Sequence, residues 1–187
     1  MAKLRVLFLN DTSRNGGPGR SLYYILKFLD PERIHRAVLL PRPGVLSELY
    51  EREKVTEELL FDETLVENPV EPWSRAMERS DFDANPLTKG RRLLGNVGRG
   101  AYSVLNLARR LKAGNYDLLY CNGTNADFFG GAASKLSGVP AIWHVRYTSV
   151  PKALASVHDN LAASPGVARI VCCLLYTSPS PRDRTRS

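Results

Sequence analysis

The chain has 187 residues, 43% of them hydrophobic and 24% charged, with 26 Lys and Arg against 19 Asp and Glu for a net charge of +7. These are ordinary globular proportions, and they exclude collagen-like, low-complexity and wholly disordered classes. The length suits one generous domain, and the positive balance favours anionic partners.

Three cysteines, Cys121, Cys172 and Cys173, form no paired framework and point to a reducing compartment. No run approaches the roughly 20 apolar residues of a membrane span. The apolar run at residues 4–9 is too short for a signal peptide and lacks a small-residue cleavage site. The expected location is therefore the cytoplasm.

Residues 3–9 (KLRVLFL) predict a buried strand, followed by a glycine-rich loop over 10–19. Leu22, Ile25, Leu26 and Leu29 recur at helical spacing and predict a helix over 21–29, ended by Pro31. Ile34–Leu40 reads as the second strand, closed by Pro41, Pro43 and Gly44. A short helix over 46–54 and a third strand at Glu58–Phe61 follow. Residues 63–89 carry Pro69, Pro72 and Pro86 without a period, and read as an irregular insertion. Leu93, Leu94, Val97, Val104, Leu105, Ala108 and Leu111 predict an amphipathic helix over 92–111, interrupted near Gly98 and Gly100. A fourth strand at 117–121, a helix at 126–136, a fifth strand at Ala141–Val145, a helix at 151–162 and a sixth strand from 169 complete the pattern. Strands alternating with helices predict an α/β, Rossmann-like fold: a mostly parallel sheet with helices on both faces.

From Cys173 the text changes to Cys-Leu-Leu-Tyr-Thr-Ser-Pro-Ser-Pro-Arg-Asp and a basic end. It resembles read-through of a transposon-end sequencing adapter, whose codons TGT-CTC-TTA-TAC-ACA-TCT open the string. The match runs over eleven consecutive residues, 173–183. Residues 173–187 are therefore expected to be an artefactual, disordered tail outside the fold, and without them the charge is about +5. The natural protein is expected to continue past Cys172, which makes residues 1–172 an N-terminal domain.

Ligands of open parallel sheets bind outside the carboxyl ends of the strands. Three loops there carry unusual residues. In the first, Gly16, Gly17 and Gly19 let backbone N–H groups approach an anion at a helix start, and Arg20 adds a guanidinium for a phosphate or carboxylate. A turn needing glycine for geometry alone is the other reading. No P-loop lysine is present, Leu22 stands where a dinucleotide fingerprint needs its third glycine, and the second strand ends without a ribose-binding acid. The second loop is Asn122-Gly123-Thr124-Asn125. Asn122, Gly123 and Thr124 are candidates for lining a hydroxyl-rich ligand, while Thr124 or Asn125 reads equally as a plain helix cap. The third is Trp143-His144-Val145-Arg146. Two residues apart on a strand, His144 and Arg146 share a face and are placed to stabilise charge on a phosphate leaving group or position a hydroxyl. A structural histidine is the alternative. His35 and His158 read as surface residues.

The densest basic region is Lys89-Gly90-Arg91-Arg92 with Arg99, Arg109, Arg110 and Lys112. No nucleic-acid motif accompanies it, so a solvated face or a peripheral contact with anionic lipid headgroups is expected. The cysteines lack metal-site spacing, and no Gly-x-Ser-x-Gly elbow occurs.

Taken in order, the Gly16-Gly17-Pro18-Gly19-Arg20-Ser21-Leu22 segment, the strand and loop from Tyr116 to Gly123, the Gly138-Val139-Pro140-Ala141-Ile142-Trp143-His144-Val145-Arg146 segment and Ala168-Arg169-Ile170-Val171-Cys172 resemble the N-terminal domain of family 4 glycosyltransferases, which are retaining GT-B enzymes. The resemblance covers nearly all of residues 3–172. It implies two Rossmann-like domains facing a cleft. The N-terminal one binds the acceptor, a glycan or lipid-linked molecule of cell-envelope polysaccharide synthesis; the absent C-terminal one holds most of the nucleotide sugar. It implies that Gly16 and Gly17 approach the donor diphosphate, with Gly19 and Arg20 beside them, and that His144 lies near the transferred sugar as the catalytic candidate. Asn122, Gly123, Thr124 and Arg146 are the substrate-side candidates. No metal or cofactor is implied beyond the nucleotide-sugar substrate, and this half alone is expected to be inactive. The rival class is a non-catalytic Rossmann-like module that binds a phosphorylated or sugar ligand. A downstream domain with paired glutamates after a glycine-rich loop would separate the two.

Overall fold

The structure, a computed structural model, describes residues 2–65, 86–146, 150 and 154–172. Within them the chain runs β1 (Leu4–Asn10), α1 (Gly17–Phe28), β2 (Ile34–Leu40), α2 (Val45–Arg52), β3 (Glu58–Phe61), α3 (Pro86–Ala113), β4 (Leu118–Asn122), α4 (Thr124–Ser137), β5 (Ala141–Val145), α5 (Ala155–Ala162) and β6 (Val167–Cys172). The six strands form one parallel sheet in the order β3-β2-β1-β4-β5-β6. The α/β, Rossmann-like expectation holds.

Alternation along each strand builds two cores. Leu7, Leu9, Leu39, Leu119, Cys121 and Trp143 face Leu107 and Leu111 of α3 and Phe129 and Ala133 of α4. Val6, Phe8, Val38 and Leu40 face Leu22 and Leu26 of α1 and Leu46 and Tyr50 of α2. Because both faces are covered, the inner strands are continuous apolar runs. Strand order reverses between β1 and β4, and in open parallel sheets the carboxyl edge at such a reversal is where ligands bind.

Four expectations change. Helix α1 begins at Gly17 rather than 21, because proline is favoured in the first turn, where its missing N–H costs no hydrogen bond. Helix α3 runs unbroken from Pro86 to Ala113. An interior glycine costs only about 1 kcal/mol, which packing offsets, and a Cβ on Gly100 would lie 3.9 Å from the Phe129 ring. His158 is no plain surface residue; its ring stacks at 5.2 Å from Trp143 and 5.6 Å from Phe128. Arg110 leaves the basic patch, turning its guanidinium to within 3.9 Å of buried Asp62. Arg99, Arg109 and Lys112 stay exposed on α3. Most of the proposed insertion (66–85), the start of the 151–162 helix and the tail at 173–187 lie outside the described residues. Among the described residues, no helix is long and apolar enough to cross a membrane.

Candidate functional site

Parallel register sets Asn10 of β1 beside Asn122 of β4, and Asn122 beside His144 of β5. Three polar side chains therefore end three adjacent strands on one edge. Asn122 is fully buried. Its Nδ2 donates to Asn10 Oδ1 and to the Pro18 carbonyl at 3.0 Å, and its Oδ1 accepts from Arg146 Nε at 2.6 Å. The Arg146 fork also donates from Nη2 to Ser21 Oγ at 2.7 Å and lies 3.1 Å from His144 Nδ1. One side chain thus ties the end of β5 to the first turns of α1. The glycine turn and the Trp-His-Val-Arg segment, far apart in sequence, share one side of the molecule.

His144 is 7% exposed. Tyr120 Oη stands 2.5 Å from its Nδ1. Burial, reinforced by the neighbouring Arg146 charge, lowers the His144 pKa to about 4, so the ring is neutral at neutral pH. The sequence placed two cations side by side; the structure places one, with a neutral imidazole against it.

At the first loop, Gly16 caps α1 with extended backbone and no side-chain cap bond, and the first turn contains no acid. Pro18 has no N–H and the Gly16 N–H is given to the Arg14 carbonyl at 2.9 Å, so Gly17 and Gly19 carry the first-turn N–H groups that the helix itself leaves unbonded, with their partial positive charge. Gly17 is exposed, and a Cβ there would meet nothing within 4 Å. Gly19 differs: a Cβ would sit 2.9 Å from Leu46 Cδ2 and 3.2 Å from the Arg14 carbonyl, so this glycine permits α1 to pack on α2. Tyr50 reinforces that contact by donating to the Gly19 carbonyl at 3.0 Å. Arg20 is exposed, with Nε 3.2 Å from Asn15 Oδ1.

At the second loop, the cap of α4 comes from a residue that local reading passed over. Neither Thr124 nor Asn125 caps the helix. Gly123 holds the cap position at φ 121°, and Asp11 Oδ2, from the loop after β1, accepts the Asn125 N–H at 3.1 Å. A Cβ on Gly123 would lie 2.6 Å from that carboxylate oxygen, so both its backbone angle and its neighbour demand glycine. Thr124, half-buried, opens the helix. The two helix starts at this edge are consequently unlike: a carboxylate already sits at α4, and none sits at α1. Asn10, Asp11, Ser21 and Tyr120 belong to the network and were absent from the sequence-based candidates. A signal existed for one of them, since Tyr120 and Asn122 share a strand face as His144 and Arg146 do.

No family model and no curated protein matches the chain. Its fold recurs in solved structures. MurG of Acinetobacter baumannii is 15% identical with a TM-score of 0.59, over 95% of this chain and 43% of that one. HepE of Anabaena, solved in complex with UDP and glucose, is 22% identical with a TM-score of 0.51, over 85% of this chain and 35% of that one. A Listeria monocytogenes protein described as a candidate UDP-N-acetylglucosamine 2-epimerase is 13% identical with a TM-score of 0.61, over all of this chain and 44% of that one. The chain therefore spans less than half the length of the structures it resembles.

Proposed function

We propose that this chain is the N-terminal, acceptor-side domain of a retaining glycosyltransferase of the GT-B type, which moves a sugar from a nucleotide sugar to a glycan or lipid-linked acceptor. One observation carries the reading: the Arg146 bridge gathers the uncapped glycine start of α1, the Asn122 loop and His144 onto a single edge at the sheet's reversal point. That edge is where open parallel sheets take ligands. The fold supports it, since HepE, solved with UDP and glucose, is built on the same plan, and so does the resemblance of the strand-end motifs to family 4 glycosyltransferases.

In this reading the Gly16–Gly17 turn receives the donor diphosphate at the Gly17 N–H, the Gly16 N–H being given to the Arg14 carbonyl at 2.9 Å, and exposed Arg20 closes on it from outside. His144 stands at the reacting sugar. Asn122 and Arg146, spent on each other and on α1, hold the edge in shape, while Gly123 and Thr124 form its far wall. The reaction needs no metal or bound cofactor here. A second, donor-binding domain completes the cleft, and the basic face of α3 rests on the cytoplasmic leaflet where lipid-linked acceptors reside.

The test uses the chain joined to its donor-binding domain. Because a Cβ at residue 17 would meet nothing within 4 Å, Gly17→Val is expected to fold normally yet weaken nucleotide-sugar binding at least roughly tenfold by calorimetry, the effect of losing one close phosphate contact. Unaltered affinity would remove the turn from the donor site. His144→Ala is expected to lower transfer on the order of 100-fold, as loss of one preorganised donor does, with the melting temperature held; wild-type turnover would take it out of the cleft. Product analysis separates transfer from epimerisation of the donor, and binding without turnover would favour the non-catalytic module.

A further inference from the structure

Two groups converge on a single nitrogen of His144. Arg146 Nη2 lies 3.1 Å from Nδ1, and Tyr120 Oη lies 2.5 Å from the same atom. A guanidinium has donors and no acceptor. An Nδ1–H would set two N–H groups against each other, and an imidazolium would add like-charge repulsion to that conflict. Nδ1 must therefore present its lone pair, and the phenol, oriented by the same logic, donates as well.

We propose that Arg146 and Tyr120 are positioning residues that lock His144 as a neutral imidazole with its proton on Nε2. The consequence for chemistry is specific. The lone pair of the ring is occupied by two donors, so His144 is not a general base. Its charge is suppressed, so it is not a cation for a leaving phosphate. What it offers is one hydrogen-bond donor, Nε2–H, held at fixed orientation. That role in the cleft rests on the transferase reading; the tautomer itself does not.

The carboxylate of this edge, Asp11, is turned to the first turn of α4, where it accepts the Asn125 N–H at 3.1 Å. Among the contacts that reach His144 Nδ1, the Arg146 guanidinium is the charged one and the Tyr120 hydroxyl the neutral one. Asn10 from β1, Asn122 from β4 and Ser21 from α1 are neutral. Tyr50 of α2, buried and with its pKa raised, lies within electrostatic reach of Arg146. Burial and Arg146 both disfavour a second proton on the ring. Arg146 is itself held by Asn122 and Ser21, so the lock extends from β1 to α1.

The experiment is nitrogen-15 NMR on the chain labelled at its three histidines, with His144 identified by its absence in His144→Gln. The wild-type ring is expected to show the neutral Nε2–H pattern from pH 8 to pH 5. A proton on Nδ1, or a midpoint near the ordinary 6.5 instead of about 4, would overturn the proposal. Arg146→Met should move the midpoint up toward 6.5 and populate the other tautomer; a wild-type spectrum there would overturn the role of Arg146. Tyr120→Phe, which keeps the ring and its packing, should retain Nε2–H while shifting Nδ1 toward a free lone pair; an unmoved Nδ1 would overturn the role of Tyr120. Each of these results stands whether or not the protein binds a nucleotide sugar, which calorimetry with UDP-glucose decides separately.

Discussion

Gly130→Ala is expected to destabilise the chain by about 3 kcal/mol, a fall of roughly 10 °C in melting temperature, and Cys121→Ala in the same chain is expected to recover most of it. The reason is how closely α4 lies on the sheet. A methyl group at Gly130 would fall inside the radius of Cys121 Sγ and 3.1 Å from Leu119 Cδ2, while one at Gly131 would meet Trp143 Cζ2 at 2.5 Å. Cys121, Leu119 and Trp143 are all fully buried, so nothing can swing into solvent to make room. Removing Sγ leaves the Cys121 Cβ at 3.6 Å, an ordinary contact, and the end of the Leu119 side chain at 3.1 Å, which has to give by only a few tenths of an ångström. Thermal or urea melts of the two single variants, the double variant and the parent give the coupling energy directly. Additive losses would mean that Gly130 does not set this distance. The approach matters for the site because α4 starts at the carboxyl edge: its closeness to β4 lets Asp11 reach the first turn and fixes Gly123 beside it.

Periodicity carried the architecture. All six strands were read from the sequence; the inner ones were the plainest, because a strand covered on both faces has no polar alternation to obscure it, whereas the edge strands β3 and β6 are half-buried and exposed. The edge was legible too, since ligand-bearing loops in such folds follow strand ends. The roles of individual glycines were harder. Gly17, Gly19, Gly123 and Gly130 look alike in a sequence, yet one is open to the edge, one packs a helix on a helix, one carries φ 121° and one packs a helix on a sheet. Which atoms lie beside an absent Cβ is decided by chain segments far away. The same distance hid the network. Asn10 meets Asn122, and Ser21 meets Arg146, across more than 100 residues. Local pattern could place His144 and Arg146 on one face but could not show that burial leaves the imidazole neutral.

Asn122→Leu is expected to be the most damaging change at the edge, although the substitution conserves volume. It leaves Asn10 Oδ1, the Pro18 carbonyl and Arg146 Nε without the partners they now share. Each unsatisfied buried group costs about 1–3 kcal/mol, and since rearrangement recovers part of this, a loss of about 3 kcal/mol in urea unfolding is the expected result. Arg146→Met alone should cost a similar amount by stranding Asn122 Oδ1 and Ser21 Oγ. The double variant should cost less than the two losses added together, by about 1 kcal/mol or more, because both single changes break the same Nε–Oδ1 bond. Strict additivity would show that the two side chains do not act as one brace. In the two-domain protein the same Asn122→Leu change should weaken nucleotide-sugar binding even though the Asn122 side chain is fully buried. It frees Arg146 and, through Arg146, releases Ser21 and the glycine start of α1 that the donor diphosphate would meet.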